Sequence, residues 1–190
     1  MKYIVLVDCQ YDFVDGALGS PEAALAMQNI RETMKTYDRT NTSAIFTQDT
    51  HYEDTYLDTM EGKNLPVPHC ILGTKGWEIV EAVLQGVEGM EIHTVEPFGV
   101  NGRVYKETFG SLDLVNYLYA LDEKEIRTTV EEIIIVGVDT SICVLSNAIL
   151  LKAAFPETPI KVIANCCASF SQEAHERALE AMKACHIEII

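Results

Sequence analysis

Short runs of apolar and β-branched residues recur along the chain, separated by segments whose apolar positions fall three or four residues apart. The runs at 2–7, 43–47, 90–94, 132–137, 160–164 and 186–190 predict six strands, of which Ile133-Ile134-Ile135-Val136 is the most hydrophobic. The intervening segments predict helices at about 21–37, 76–85, 111–121, 142–155 and 171–184. In the first of these, Pro21 stands where an opening helical turn tolerates proline, and Ala24, Met27, Gln28, Ile30 and Met34 allow an apolar face. The last can be capped by Ser171 or Ser169, with Glu173 favouring its first turn. Strand alternating with helix is the pattern of parallel strands joined by crossover helices, so the expected class is α/β with a central, mostly parallel sheet.

At 190 residues and 48% hydrophobic content, the chain can bury one sizeable core. No repeat or low-complexity linker divides it, and one domain over 1–190 is expected. No apolar run is long enough for a membrane span. The opening Met1-Lys2-Tyr3-Ile4-Val5-Leu6-Val7 is too short for a secretory signal and reads better as a first strand, which points to a cytoplasmic protein. Six scattered cysteines without CxxC spacing point to reduced thiols. A formal charge of −15 provides no basic stripe, and argues against a nucleic-acid or anionic-membrane partner.

Ligands of an open parallel sheet bind beyond the carboxyl ends of its strands. Asp8 follows the first strand, Asp49 and His51 follow the second, and Cys143 lies one turn into the helix after the strongest strand. A thiol there faces the positive end of a helix, so its pKa is expected to fall below that of a free cysteine, and nearby N–H groups could hold an oxyanion. The alternative is a small buried hydrophobe. No Gly-x-Gly-x-x-Gly, P-loop or Gly-x-Ser-x-Gly is present, and Gln10 stands where a phosphatase-type site needs a second Asp. Asp49-Thr50-His51 sets two metal-ligand types on one side of an extended chain, and His69 returns after a loop containing Glu61. Zinc, manganese or iron would accept such a mixed set. Alternatively Asp49 and His51 cap a turn and Glu61 is solvated. The region from Thr50 to about Lys75 is long and irregular, as functional loops are, while His93, His175 and His186 read as structural or surface residues.

Five blocks in order, Val5-Leu6-Val7-Asp8-Cys9-Gln10-Tyr11-Asp12-Phe13, Thr47-Gln48-Asp49-Thr50-His51, Pro68-His69-Cys70, Tyr105-Lys106 and Gly137-Val138-Asp139-Thr140-Ser141-Ile142-Cys143, resemble the isochorismatase-like cysteine hydrolases, especially nicotinamidases. The resemblance implies a three-layer α/β/α domain with a sheet of about six strands. It implies Asp8, Lys106 and Cys143 as a catalytic triad, a cis peptide before Asp139, and an oxyanion hole from the N–H groups of Asp139 and Cys143. It further implies a divalent metal, first zinc, on Asp49, His51 and His69, with Glu61 of Glu61-Gly62-Lys63 taking the place of a further His absent here. The implied reaction converts nicotinamide to nicotinate and ammonia through a Cys143 thioester, in NAD salvage, with Phe13 walling the ring. A homo-oligomer is also implied. The family's Trp shortly before the last metal His is absent, since Leu65-Pro66-Val67-Pro68 precedes His69, which leaves the substrate open. Another small amide or ureido compound is the alternative, as is a metal-binding thiol sensor without turnover.

Overall fold

In the computed structural model, which describes residues 1–123 and 130–190, six strands form one sheet. They are β1 (Lys2–Val7), β2 (Thr42–Asp49), β3 (Arg103–Lys106), β4 (Glu132–Val138), β5 (Ile160–Ala168) and β6 (Glu188–Ile189). Their order is β3-β2-β1-β4-β5-β6, and every neighbouring pair is parallel. The helices are α1 (Tyr11–Val14), α2 (Pro21–Met34), α3 (Met60–Asn64), α4 (Glu81–Gly86), α5 (Leu112–Glu123), α6 (Leu145–Ala154) and α7 (Gln172–Ala184). Among the described residues, none is long and apolar enough to cross a membrane.

The central strands β1 and β4 are apolar without alternation because both faces are covered, as parallel sheets require. Tyr3, Val5, Val7, Ile133 and Ile135 point into one core, with Leu114, Leu118, Leu151 and Met182 from α5, α6 and α7. Ile4, Leu6, Ile134 and Val136 point into the other, with Met27, Ile30 and Val83 from α2 and α4. Three layers result. Helix α2 forms at the expected place but ends at Met34: Ser20 caps it by accepting from the Ala23 N–H at 3.0 Å, Pro21 occupies its first turn, and Met27, Ile30 and Met34 are buried with Ala23 and Ala26 rather than with Ala24 and Gln28.

Two elements differ from expectation. Segment 90–94 is not a strand: only Glu91 bridges to Ser43, and Ile92 is exposed. The third strand is instead Arg103–Lys106 at the sheet edge. Second, the helix expected at 76–85 begins only at Glu81. The preceding backbone is committed elsewhere, since the Trp77 carbonyl accepts from the side-chain amides of Gln10 and Gln48 and Ile79 pairs with Gln10.

The order reverses between β1 and β4, whose connections run to opposite sides, so a crevice opens at their carboxyl ends. Gly137 shapes that place. Its φ is +124°, the β4–β5 register shifts between Ile135 and Gly137, and a Cβ there would run into the Val7 carbonyl oxygen.

Candidate active site and metal centre

Asp8, Asp49 and Lys106 reach the crevice because each ends a strand, and in the β2–β3 register Asp49 lies directly beside Lys106. Cys143 arrives from the opposite side of the switch, in a π-helical turn (Thr140–Val144) between β4 and α6. The Lys106 ammonium is the hub. Its Nζ lies 2.7 Å from Asp8 Oδ2, 3.2 Å from Asp49 Oδ1 and 3.7 Å from Cys143 Sγ. Thr47 Oγ1 donates to the other Asp8 oxygen at 2.7 Å, fixing the carboxylate plane.

All four groups are nearly dry, and burial and their charged neighbours together set their protonation. Burial pushes the Asp8 carboxyl above its ordinary 3.8 although Lys106 opposes the shift. Lys106 remains charged: burial disfavours the ammonium, but Asp8, Cys143 and Asp49 outweigh it and raise its pKa well above 10.5. Asp49 is held far below the usual carboxylate range, because Lys106 and the imidazoles of His51 and His69 overcome the effect of its burial. The low-pKa cysteine expected from the helix terminus is not what the structure shows. Cys143 is 6% exposed, and burial, reinforced by Asp8 and Asp49, drives the thiol well above 9.0 against the pull of Lys106. Cys143 therefore rests as a neutral thiol close to the buried Asp8 carboxyl.

Asp49, His51, Glu61 and His69 bring one ligand atom each to within 4.8 Å of one another. His51 Nε2 and His69 Nε2 lie 3.1 and 3.4 Å from Asp49 Oδ2, and His69 Nε2 lies 3.5 Å from Glu61 Oε1. His69 Nδ1 is 2.9 Å from the Val67 carbonyl, which accepts from it and so leaves Nε2 free to face the cluster. Without a cation, burial disfavours a charged His69 ring, yet bonds to Asp49 and Glu61 push its pKa up to about 10. Two imidazole nitrogens and two carboxylates gathered this closely are a mixed donor set that suits a borderline divalent cation. Glu61 reaches the cluster on α3, whose Gly62 packs against the Tyr56 backbone so closely that a Cβ would clash.

Phe13 meets the His69 ring edge-on, with centroids 5.4 Å apart. Together with Asp49, Glu61, His69, Asp139 and Cys143 it lines a cavity of about 920 Å³. The Val138–Asp139 peptide is cis, as the resemblance implies.

Other contacts that hold the site were not apparent from the sequence. Gln10 brackets the Asp49 backbone: its Oε1 accepts from Asp49 N–H and its Nε2 donates to Asp49 C=O, both at 2.8 Å. The Asp139 carboxylate accepts from Ser141 N–H (2.6 Å), Ser141 Oγ (2.8 Å), Ser169 Oγ (2.7 Å) and Phe170 N–H (2.8 Å), tying the Cys143 turn to the end of β5. Asn147, fully buried, donates to the Cys143 carbonyl at 2.8 Å and accepts from Ser111 N–H at 2.9 Å. His175, read as structural or surface, contacts Thr140 Oγ1 at 2.9 Å. A polar residue close after a strand was the only available signal for Gln10.

The isochorismatase domain pattern matches residues 2–190. No curated protein sequence matches the chain. Among solved structures, it resembles the pyrazinamidase/nicotinamidase of Streptococcus mutans at 28% identity and a TM-score of 0.77, over 100% of both chains. The nicotinamidase of Bacillus subtilis follows at 26% identity and a TM-score of 0.75, over 99% of this chain and 98% of that one. The zinc complex of the pyrazinamidase of Pyrococcus horikoshii has 22% identity and a TM-score of 0.73, over 100% of this chain and 98% of that one, and supports the fold. With the pattern running through nearly the whole sequence and the sheet order in place, the chain belongs to the isochorismatase family of hydrolases.

Proposed function

We propose that the protein is a metal-dependent cysteine amidohydrolase that converts nicotinamide to nicotinate and ammonia through a thioester on Cys143. The observation that carries this reading is the shared ammonium of Lys106, 2.7 Å from Asp8 and 3.7 Å from the Cys143 sulfur, next to a four-residue donor cluster. The family membership and the two nicotinamidase-like structures above 25% identity support it.

In this reading Cys143 Sγ attacks the carboxamide carbon as its proton passes to Asp8, whose raised pKa suits it to hold one. Lys106 stabilises the sulfur as negative charge gathers on it. The N–H groups of Asp139 and Cys143 hold the tetrahedral oxyanion. Collapse breaks the C–N bond, and Asp8 returns its proton to the departing amine, which leaves as ammonia. Water then attacks the thioester while Asp8 takes one of its protons; the C–S bond breaks, Asp8 returns that proton to the sulfur, and the acid gives its remaining proton to solvent and leaves as nicotinate. Asp49, His51, Glu61 and His69 would hold the cation, which supplies a Lewis acid for the ring nitrogen of the substrate. Phe13 presents an aromatic wall to that ring.

Ammonia release from nicotinamide is the test, run beside benzamide, which lacks the ring nitrogen, and beside Cys143→Ala. Turnover of nicotinamide alone, lost in the variant, supports the reading. Turnover of other small amides in its place moves the substrate elsewhere in the family, and no turnover on any amide, with a reactive Cys143, favours a thiol sensor.

A further inference from the structure

The cavity over Cys143 is large for nicotinamide, a molecule of nine heavy atoms. At about 920 Å³ it lies in the range that encloses drug-sized ligands, and Phe13, Leu18, Met60, Leu65, Phe109 and Phe170 form much of its wall. Among the described lining residues the carboxylates are Asp49, Glu61, Glu107 and Asp139, no lysine or arginine stands with them, and the imidazole of His69 belongs to the donor cluster. Lys106 lies beneath the floor rather than in the lining, and its ammonium is already shared between Asp8 and Asp49.

The charges can be added in formal terms. Lys106 offsets Asp8. A divalent cation on the donor cluster would offset Asp49 and Glu61. Glu107 and Asp139 remain, on a chain whose formal charge is −15. The four hydrogen bonds to Asp139 orient its carboxylate without cancelling its charge. Glu107, next to Lys106 in sequence, is exposed to solvent and also lines the cavity. A ligand bearing a carboxylate would therefore leave water for an apolar, negatively biased cavity whose described lining offers no lysine or arginine to receive it.

From this lining we infer that the site selects uncharged carboxamides, ring-substituted ones included, and rejects amides that carry a carboxylate, ureido acids among them, with Glu107 as a specificity-determining residue. Turnover in this inference rests on the hydrolase reading above, whereas the binding preference does not. The same bias favours departure of the carboxylate product.

Two isosteric ligands isolate the charge. Pyridine-3,5-dicarboxamide and 5-carbamoylpyridine-3-carboxylate differ by one amide exchanged for a carboxylate. Each is offered to the metal-loaded protein for turnover, and to Cys143→Ala for equilibrium binding by calorimetry. The expected diamide preference is about tenfold or more at low salt, the order that one unpaired unit charge produces within a few ångströms of another near a protein surface. It should narrow as salt is added, and Glu107→Lys should shrink it by about fivefold. N-carbamoylglycine should bind no better than the acid amide. Equal handling of the two pyridines, preference for the acid or the ureido acid, exclusion of the diamide where nicotinamide is accepted, or a ratio indifferent to Glu107→Lys each overturns the inference. Absence of all amide turnover would sink the hydrolase reading, and the calorimetric ratio would still decide this one.

Discussion

Replacing Lys106 by Met removes one charge and leaves two buried carboxylates facing each other. Asp8 is fully buried, Asp49 is 3% exposed, and both lose an ammonium that stood 2.7 and 3.2 Å away. Breaking a buried ion pair from one side costs about 3–5 kcal/mol, because the buried charge left behind loses its counter-ion, although Asp8 keeps the Thr47 hydroxyl. For a chain of this size each kcal/mol moves Tm by about 2–4 °C, so Lys106→Met should melt about 6–20 °C lower. Calorimetric unfolding in chelator measures this without contribution from a bound cation. The companion variant Lys106→Met/Asp8→Asn removes the orphaned charge and should recover part of the loss despite carrying two substitutions. A Tm drop below about 2 °C, or a double variant no more stable than the single, would refute the claim that Lys106 is held by charge pairing rather than by packing of its stem.

Three further outcomes follow from the same geometry. Asp139→Asn cannot accept all four of the bonds from Ser141, Ser169 and Phe170, so kcat for amide hydrolysis should fall about tenfold or more while iodoacetamide alkylation of Cys143, which forms no oxyanion, is little changed; equal loss in both assays would make the bonds merely structural. Gly137→Ala should destabilise by about 3 kcal/mol or more, read by denaturant melts, because φ is +124° and the new methyl meets the Val7 carbonyl. Although burial works to raise the Glu132 pKa, bonds to Lys161 and Lys2 at 2.7 and 3.2 Å hold it below 4.5. A depressed folded-state pKa gives stability that is present above pH 4.5 and lost as pH falls below it, so Glu132→Gln should cost about 0.5–1 kcal/mol near neutrality and progressively less in acid.

The sequence showed the fold where both faces of a strand are buried. β1 and β4 stand out because continuous apolar runs leave little other use for Ile4–Val7 or Ile133–Val136. It misled where one edge is open. Met90-Glu91-Ile92-His93-Thr94 alternates like a strand but meets the sheet through Glu91 alone, whereas the true edge strand, Arg103–Lys106, is short and polar apart from Val104 and Tyr105. Trp77 and Ile79 looked helical, yet their backbone serves long-range partners that no local pattern reveals.

The site divides in the same way. The side chains the resemblance implies, Asp8, Lys106 and Cys143 on one hand and Asp49, His51, Glu61 and His69 on the other, converge in space. Their protonation was not legible, since the pKa of Cys143 depends on how deeply it is buried and on Asp8 and Asp49, which come from distant parts of the chain. Nor were the residues that hold them. Gln10 on the Asp49 backbone and Asn147 on the Cys143 carbonyl act through contacts 39 and 4 residues away, and glutamine or asparagine alone announces neither.

The central claim is a covalent bond to the Cys143 sulfur. Metal-loaded protein quenched in acid during nicotinamide turnover, digested and weighed by mass spectrometry, should carry one nicotinoyl group on the peptide containing Cys143, and none in Cys143→Ala. Sustained ammonia release with an unmodified Cys143 peptide, or from Cys143→Ala itself, would contradict the account.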